Sequence, residues 1–159
     1  MYVRPIRPDD KALLVAGLAR MSQASRELRF LSPKPRFTLR ELRYLTEIDG
    51  VDHVAYVALR GDAPRELMAV GRLVRNEEEP ATAEIAVAVG DCWQRRGVGT
   101  LLGDLLATAA RDRGIRWLTG TMAADNVAAH RLFNHVSTQL RHQRDGGVDE
   151  VWADLAFAA

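Results

Sequence analysis

Two periods of hydrophobic spacing divide this chain into elements. Val3 to Arg7 alternates apolar and basic residues up to Pro8, which predicts a short strand ending at a turn, and Asp9 or Asp10 can then cap a helix. Leu13, Leu14, Gly17, Leu18 and Met21 recur at helical spacing, and that helix is expected to fade between Ser22 and Ser25. Ser32-Pro33-Lys34-Pro35 predicts a rigid loop, because each proline fixes its own φ and restricts the residue before it. Thr38 with Glu41 forms a capping box for a second helix, whose buried stripe is Leu39, Leu42, Leu45 and Ile48.

From Val54 to Leu59 the run reads as a strand, Gly61-Asp62-Ala63-Pro64 as a turn, and Leu67 to Val74 as the returning strand of a hairpin. A third strand, Thr82 to Val89, places Ile85, Val87 and Val89 on one face and Glu84, Ala86 and Ala88 on the other. Glu84 thus stands among small neighbours that leave room beside it. Gly97 to Arg113 carries the longest helical stripe (Leu101, Leu102, Leu105, Leu106, Ala109), with Gly114 to end it. Trp117 to Met122 predicts a strand and Ala128 to Phe133 a short helix. A terminal strand pair, Gln139 to Gln143 and Glu150 to Phe157, turns around Asp145-Gly146-Gly147. This order predicts an α+β fold in one domain, 1-159: a mixed, mostly antiparallel sheet of six to seven strands flanked by four helices.

Composition narrows the setting. A single cysteine, Cys92, allows no internal disulfide and fits a reducing compartment, so a cytoplasmic location is expected. No apolar run approaches the roughly 20 residues that span a bilayer, so no membrane partner is expected. A formal charge of +1 gives no whole-chain attraction to nucleic acid. The charge is uneven locally: basic residues gather between Arg20 and Arg43, and Glu77-Glu78-Glu79 makes an acidic turn.

The candidate chemistry lies in Gln94-Arg95-Arg96-Gly97-Val98-Gly99. A strand ends at Val89 and a helix opens at Gly97, so unpaired N–H groups face outward at a positive helix end. Glycine at 97 and 99 removes β-carbons that would hold a phosphate away, and Arg95 and Arg96 add charge at the lip. A phosphate loop of the P-loop type would need lysine and Ser or Thr after the second glycine, and a dinucleotide fingerprint a third glycine. Neither is present.

Gln94, Gly97 and Gly99 match the Q/R-x-x-G-x-G/A motif, and on it the chain resembles the GNAT N-acetyltransferases over nearly its whole length, most strongly from Ala83 to Arg113. A second block, Ser25 to Pro33 with Arg36-Phe37-Thr38 and Ile48-Asp49 after it, resembles the acetyltransferase domain of bacterial Pat-type protein-lysine acetyltransferases. The resemblance implies acetyl-CoA as co-substrate. Val87, Ala88 and Val89 would pair with its pantetheine arm, and Gln94, Arg95, Arg96, Gly97, Val98, Gly99 and Thr100 would cradle its pyrophosphate. Asn126 and Phe133 would lie along the arm. It also implies Glu84 as the general base, since a lysine amine with a pKa of about 10.4 must lose a proton before it attacks. Enclosure in a half-apolar groove is expected to raise the pKa of Glu84. The acceptor would be a primary amine, either a protein lysine or a small molecule; a non-catalytic acyl-CoA-sensing module is the alternative.

The chain departs from the family after Asn126. Leu132, Phe133, Ser137 and Thr138 stand where a Leu-Tyr-x-x-x-Gly-Phe pattern is common, so the tyrosine that protonates the departing thiolate is missing. His130 and His135 are out of phase for an i, i+4 metal pair and no Cys or carboxylate cluster joins them, so they read as solvated helix residues and no metal is expected. Cys92 reads as a structural or incidental thiol, and Trp93, Trp117 and Trp152 as packing residues. The exposed terminal strands are compatible with a homodimer.

Overall fold

The computed structural model describes residues 1–62 and 66–159; Ala63 and Pro64 of the expected turn lie outside the described residues. The extended segments join into one seven-stranded sheet in the order β1-β2-β3-β4-β5-β7-β6. β1 (Tyr2–Pro5), β2 (His53–Leu59), β3 (Leu67–Arg75) and β4 (Thr82–Val89) form an antiparallel meander. β5 (Trp117–Ala123) joins parallel to β4, and β6 (Leu140–Asp145) and β7 (Val148–Asp154) close the far side as a hairpin in which β7 pairs with β5.

Alternation along the strands sorts side chains onto two helical layers. On one face Ala55, Val57 and Leu59 pack with Leu14 of α1 (Lys11–Arg20) and with Leu42 and Leu45 of α3 (Leu39–Thr46). On the other, Leu73, Ile85 and Leu118 pack with Leu106 and Ala110 of α4 (Val98–Asp112) and with Phe133 and Val136 of α5 (Val127–Val136). Leu102 and Leu106 are fully enclosed, and burial of such a side chain is worth about 1.5–3 kcal/mol. The stripe of α4 therefore anchors the helix whose N-terminus forms the candidate phosphate loop. Among the described residues no helix is long and apolar enough to cross a membrane.

Among the described residues there are five α-helices rather than the four expected. The extra one, α2 (Gln23–Phe30), begins where the first helix was expected to fade. Met21 is extended and ends α1, but the Ser22 hydroxyl then accepts the N–H of Ser25 at 3.1 Å and restarts the chain as a new helix. A serine that reads as a stop signal is a cap. α5 also extends beyond the expected Phe133, to Val136.

Candidate functional site

β4 is paired along its whole length on one side only. Its register with β3 runs from Ala83 to Val89, whereas its pairing with β5 covers Thr82, Ala83 and Glu84 and stops. Beyond Glu84 and Thr119 the strands diverge, and Ile85–Val89 presents a backbone edge with no partner strand among the described residues. An unpaired edge with regular donors and acceptors is a template for an extended ligand such as an amide-bearing chain. Val87, Ala88 and Val89 lie on this edge, half-buried.

Directly beyond it the chain turns through residues 90–97 into α4. Gly97 adopts φ 82°, a left-handed conformation that other residues reach only at a cost, and no atom lies within 4 Å of where its β-carbon would be. A β-carbon on Gly99 would meet only Val89, at 3.5 Å. The helix start has no side-chain cap, so the N–H groups of Val98, Gly99 and Thr100 find no acceptor among the described residues. Arg95 and Arg96 are exposed at the lip, Arg96 lying over the Trp93 ring at 5.2 Å. Free donors, a positive helix end, open space over two glycines and flanking arginines fit a pyrophosphate, and the open β4 edge fits the arm that follows it in coenzyme A.

Other residues expected at the cofactor take different parts. Gln94 turns its amide inward, donating to the Val89 carbonyl and the Ser25 hydroxyl, both at 3.2 Å, so its side chain braces the loop against β4 and α2. The Val98 side chain is buried with Leu102, leaving only its backbone facing outward. Asn126 caps α5 by accepting the Ala129 N–H at 3.1 Å, which leaves its Nδ2 amide to serve another group. Phe133 is 3% exposed and packs on Gly120, where a β-carbon would come within 2.6 Å of the ring. Its ring belongs to the core and presents no free face to the groove.

Glu84 occupies the point where β4 and β5 part, on the face that carries α1, α2 and α3. Its side chain is exposed, so the expected enclosure is not found. What the sequence reading missed is the cationic neighbourhood on this face. Arg72 of β3 lies opposite Ala86, and half-buried Arg29 of α2 lies close enough to Glu84 to feel its charge. Both arginines line a mostly apolar pocket together with Phe30, Phe37, Met68 and Ala88.

Arg72 is 6% exposed; its Nη1 donates to the Leu45 carbonyl at 3.3 Å and lies 2.9 Å from His53 Nε2. Burial, reinforced by the charge of Arg29, pushes the Arg72 guanidinium down to about 10. Burial also lowers Arg29, with Glu84 opposing. His53 is pushed down to about 4 by its own burial and then by Arg72, against the pull of Asp49. It is therefore neutral at pH 7 and accepts from Arg72 through Nε2. One signal was visible in the sequence: Arg72 interrupts the apolar strand Leu67 to Val74.

The histidines of α5 are also placed differently from expectation. His135 meets Asp104 of α4 at 2.8 Å, while His130 faces His142 of β6 and Asp149 of β7. The terminal hairpin brings a second histidine and one carboxylate to His130 in space.

Comparison with known proteins agrees with this geometry. A family model described as the acetyltransferase (GNAT) family matches residues 21–136. The acetyltransferase Pat of Mycolicibacterium smegmatis is 32% identical over 136 residues, which are 85% of this chain and 40% of that protein. This chain thus spans less than half the length of that relative. An acetyltransferase of Pseudomonas aeruginosa is 30% identical over 133 residues, 83% of this chain and 71% of its own length. The crystal structure of the GNAT domain of S. lividans PAT superposes with a TM-score of 0.84 at 32% identity, covering 96% of this chain and 89% of that one. The family match over most of the chain, together with these relatives, shows that the chain belongs to the acetyltransferase (GNAT) family.

Proposed function

We propose that this domain acetylates the ε-amine of protein lysines, with Glu84 taking the proton from the attacking amine. The observation that carries the reading is the parting of β4 from β5 at Glu84, between the open strand edge and the face bearing α2. Acetyl-CoA, when bound, supplies the acyl thioester and the thiolate leaving group. The backbone N–H groups of residues 95–100 and the Arg95 and Arg96 side chains hold its pyrophosphate, and the Val87 to Val89 edge aligns the pantetheine amides. Asn126 offers its Nδ2 amide to the same arm.

At pH 7 only about 4 in 10,000 free lysine amines are neutral, so removing the proton is a large part of the task. The Glu84 carboxylate accepts it, and exposure lets the proton pass on to solvent. Nearby Arg29 places a positive charge beside the carboxylate. Phe133, buried on Gly120, has no proton to give, so the leaving thiolate takes its proton from water in the open groove. An exposed base suits an acceptor presented on a macromolecule, and the sequence resemblance to Pat-type protein-lysine acetyltransferases supports the same acceptor class.

Release of coenzyme A measured with lysine-containing proteins and peptides, for the natural chain and for Glu84→Gln, tests the proposal. Turnover on lysine that falls steeply in Glu84→Gln is the expected result. Acetyl-CoA binding without turnover on any amine would overturn it in favour of an acyl-CoA sensor. A second reading, a small-molecule amine acceptor carrying an anionic group, is favoured by Arg29 and Arg72 in the apolar pocket beside Glu84. Including amino acids and other anionic small amines in the same assay separates the two.

A further inference from the structure

We infer that His130, His142 and Asp149 form a binding site for a zinc-class divalent cation that pins α5 to the terminal hairpin. The three residues come from α5, β6 and β7, and one ligand atom from each lies within 4.8 Å of the other two. Asp149 Oδ2 is 3.1 Å from His142 Nδ1 and 3.6 Å from His130 Nε2. Ligand atoms bound tetrahedrally to zinc at about 2.0–2.2 Å stand about 3.3–3.6 Å from one another, so both separations need to change little.

Among the described residues only three buried side-chain polar atoms lack a hydrogen-bond partner, and two of them are His130 Nε2 and Asp149 Oδ1. Leaving such atoms unpaired in the interior costs roughly 1–3 kcal/mol each. The Asp149 side chain is 1% exposed, and its environment is built rather than incidental. The His130 and His142 rings stack, 24° from parallel with centroids 6.0 Å apart, and face the same carboxylate. Arg144 Nη2 also donates to Asp149 Oδ2, at 3.3 Å, but its side chain is 60% exposed and free to swing into solvent when a cation arrives.

Two imidazole nitrogens with one carboxylate oxygen exclude calcium and magnesium, which take oxygen ligands, and suit zinc. His142 is exposed, so the fourth position opens to water. The site lies across the sheet from Glu84. Asp149 pairs with Met122, which shares the α4 and α5 face with Leu118 and Gly120, whereas Glu84 pairs with Thr119 on the opposite face. Its effect is mechanical: the backbone N–H of His130 bonds the Asn126 carbonyl at 3.1 Å, so a cation fixes the first turn of α5 and with it the residue that caps it.

Zinc titration by calorimetry, with histidine signals followed by NMR, tests the site in the full chain. One zinc ion per chain is expected, shifting the ring signals of His130 and His142 and leaving those of His53 and His135 in place. His142→Asn, at an exposed position, should weaken binding by more than the roughly 10–100-fold typical of losing an outer partner of a metal site. Cys92→Ser should leave binding unchanged. Absence of saturable zinc binding would overturn the inference. Binding that survives His142→Asn, disappears with Cys92→Ser, or shifts other histidines would do the same.

Discussion

Glu84 and Thr119 form the last rung between β4 and β5, and the sheet opens immediately beyond them. The proposed base thus stands at the apex of the opening, where the β4 edge passes from strand pairing to an open edge. Its position is set by backbone register, so the side chain can be changed without moving the edge.

Glu84→Gln follows from this. The amide keeps the size and hydrogen-bonding reach of the carboxylate but cannot take a proton, and a positioned base contributes typically 10²–10⁴-fold to rate. We expect kcat to fall by about that factor while the affinity for acetyl-CoA, held at the loop and the edge, stays the same. Steady-state release of coenzyme A with parallel calorimetry checks both halves. A mutant with unchanged kcat would assign the proton to water alone.

Gly97→Glu separates cofactor binding from folding. The open space around Gly97 spares any packing clash, and the φ of 82° costs a non-glycine residue about 1–2 kcal/mol. The carboxylate, however, projects toward the free N–H groups of α4 and repels a pyrophosphate. The expected outcome is a folded protein, slightly less stable to heat, with no measurable acetyl-CoA affinity. Retained affinity would move the phosphate site elsewhere.

Local pattern made the geometry of the candidate loop and of β4 legible. The two faces of β4, with Ile85, Val87 and Val89 toward α4 and Glu84 opposite, follow from alternation, and the glycines at 97 and 99 announce the loop. What escaped depends on residues distant in sequence. The restart at Ser22 is held by Asp91, which accepts the Ser22 N–H at 3.1 Å and the Ser25 hydroxyl at 3.3 Å. His130 gains His142 and Asp149 only when the hairpin folds against α5, and Arg29 approaches Glu84 only because α2 exists. Phe133 was expected along the pantetheine arm; its burial depends on Gly120, whose missing β-carbon no helical or strand period reveals.

Gly120→Ala tests that packing. A β-carbon would lie 2.6 Å from Cζ and 2.8 Å from Cε2 of Phe133, too close for either to stay, and overpacking of a core costs about 1–3 kcal/mol. Phe133→Leu removes the clashing ring, so adding it to Gly120→Ala should cost less than the sum of the two single changes. Urea denaturation of the four proteins measures the coupling, and strict additivity would show that the two residues do not share the site.

His53 predicts a pH dependence of stability. In the folded chain burial and Arg72 hold its pKa at about 4, whereas an unfolded histidine titrates near 6.5. As pH falls below 6.5 the unfolded chain takes up a proton that the folded chain refuses until about 4, so stability is fully present above 6.5 and declines across that window. Carboxylates held low in the fold, such as Asp10 beside Arg4, also destabilise the protein in acid. His53→Gln isolates the histidine: glutamine still offers an acceptor to Arg72 but does not titrate, while every carboxylate is unchanged. The difference in melting temperature between the two proteins should therefore move in favour of the variant as pH falls from 6.5 to 4 and level off below, whereas parallel curves would mean that His53 is protonated in the folded state and that the contact with Arg72 is not as described.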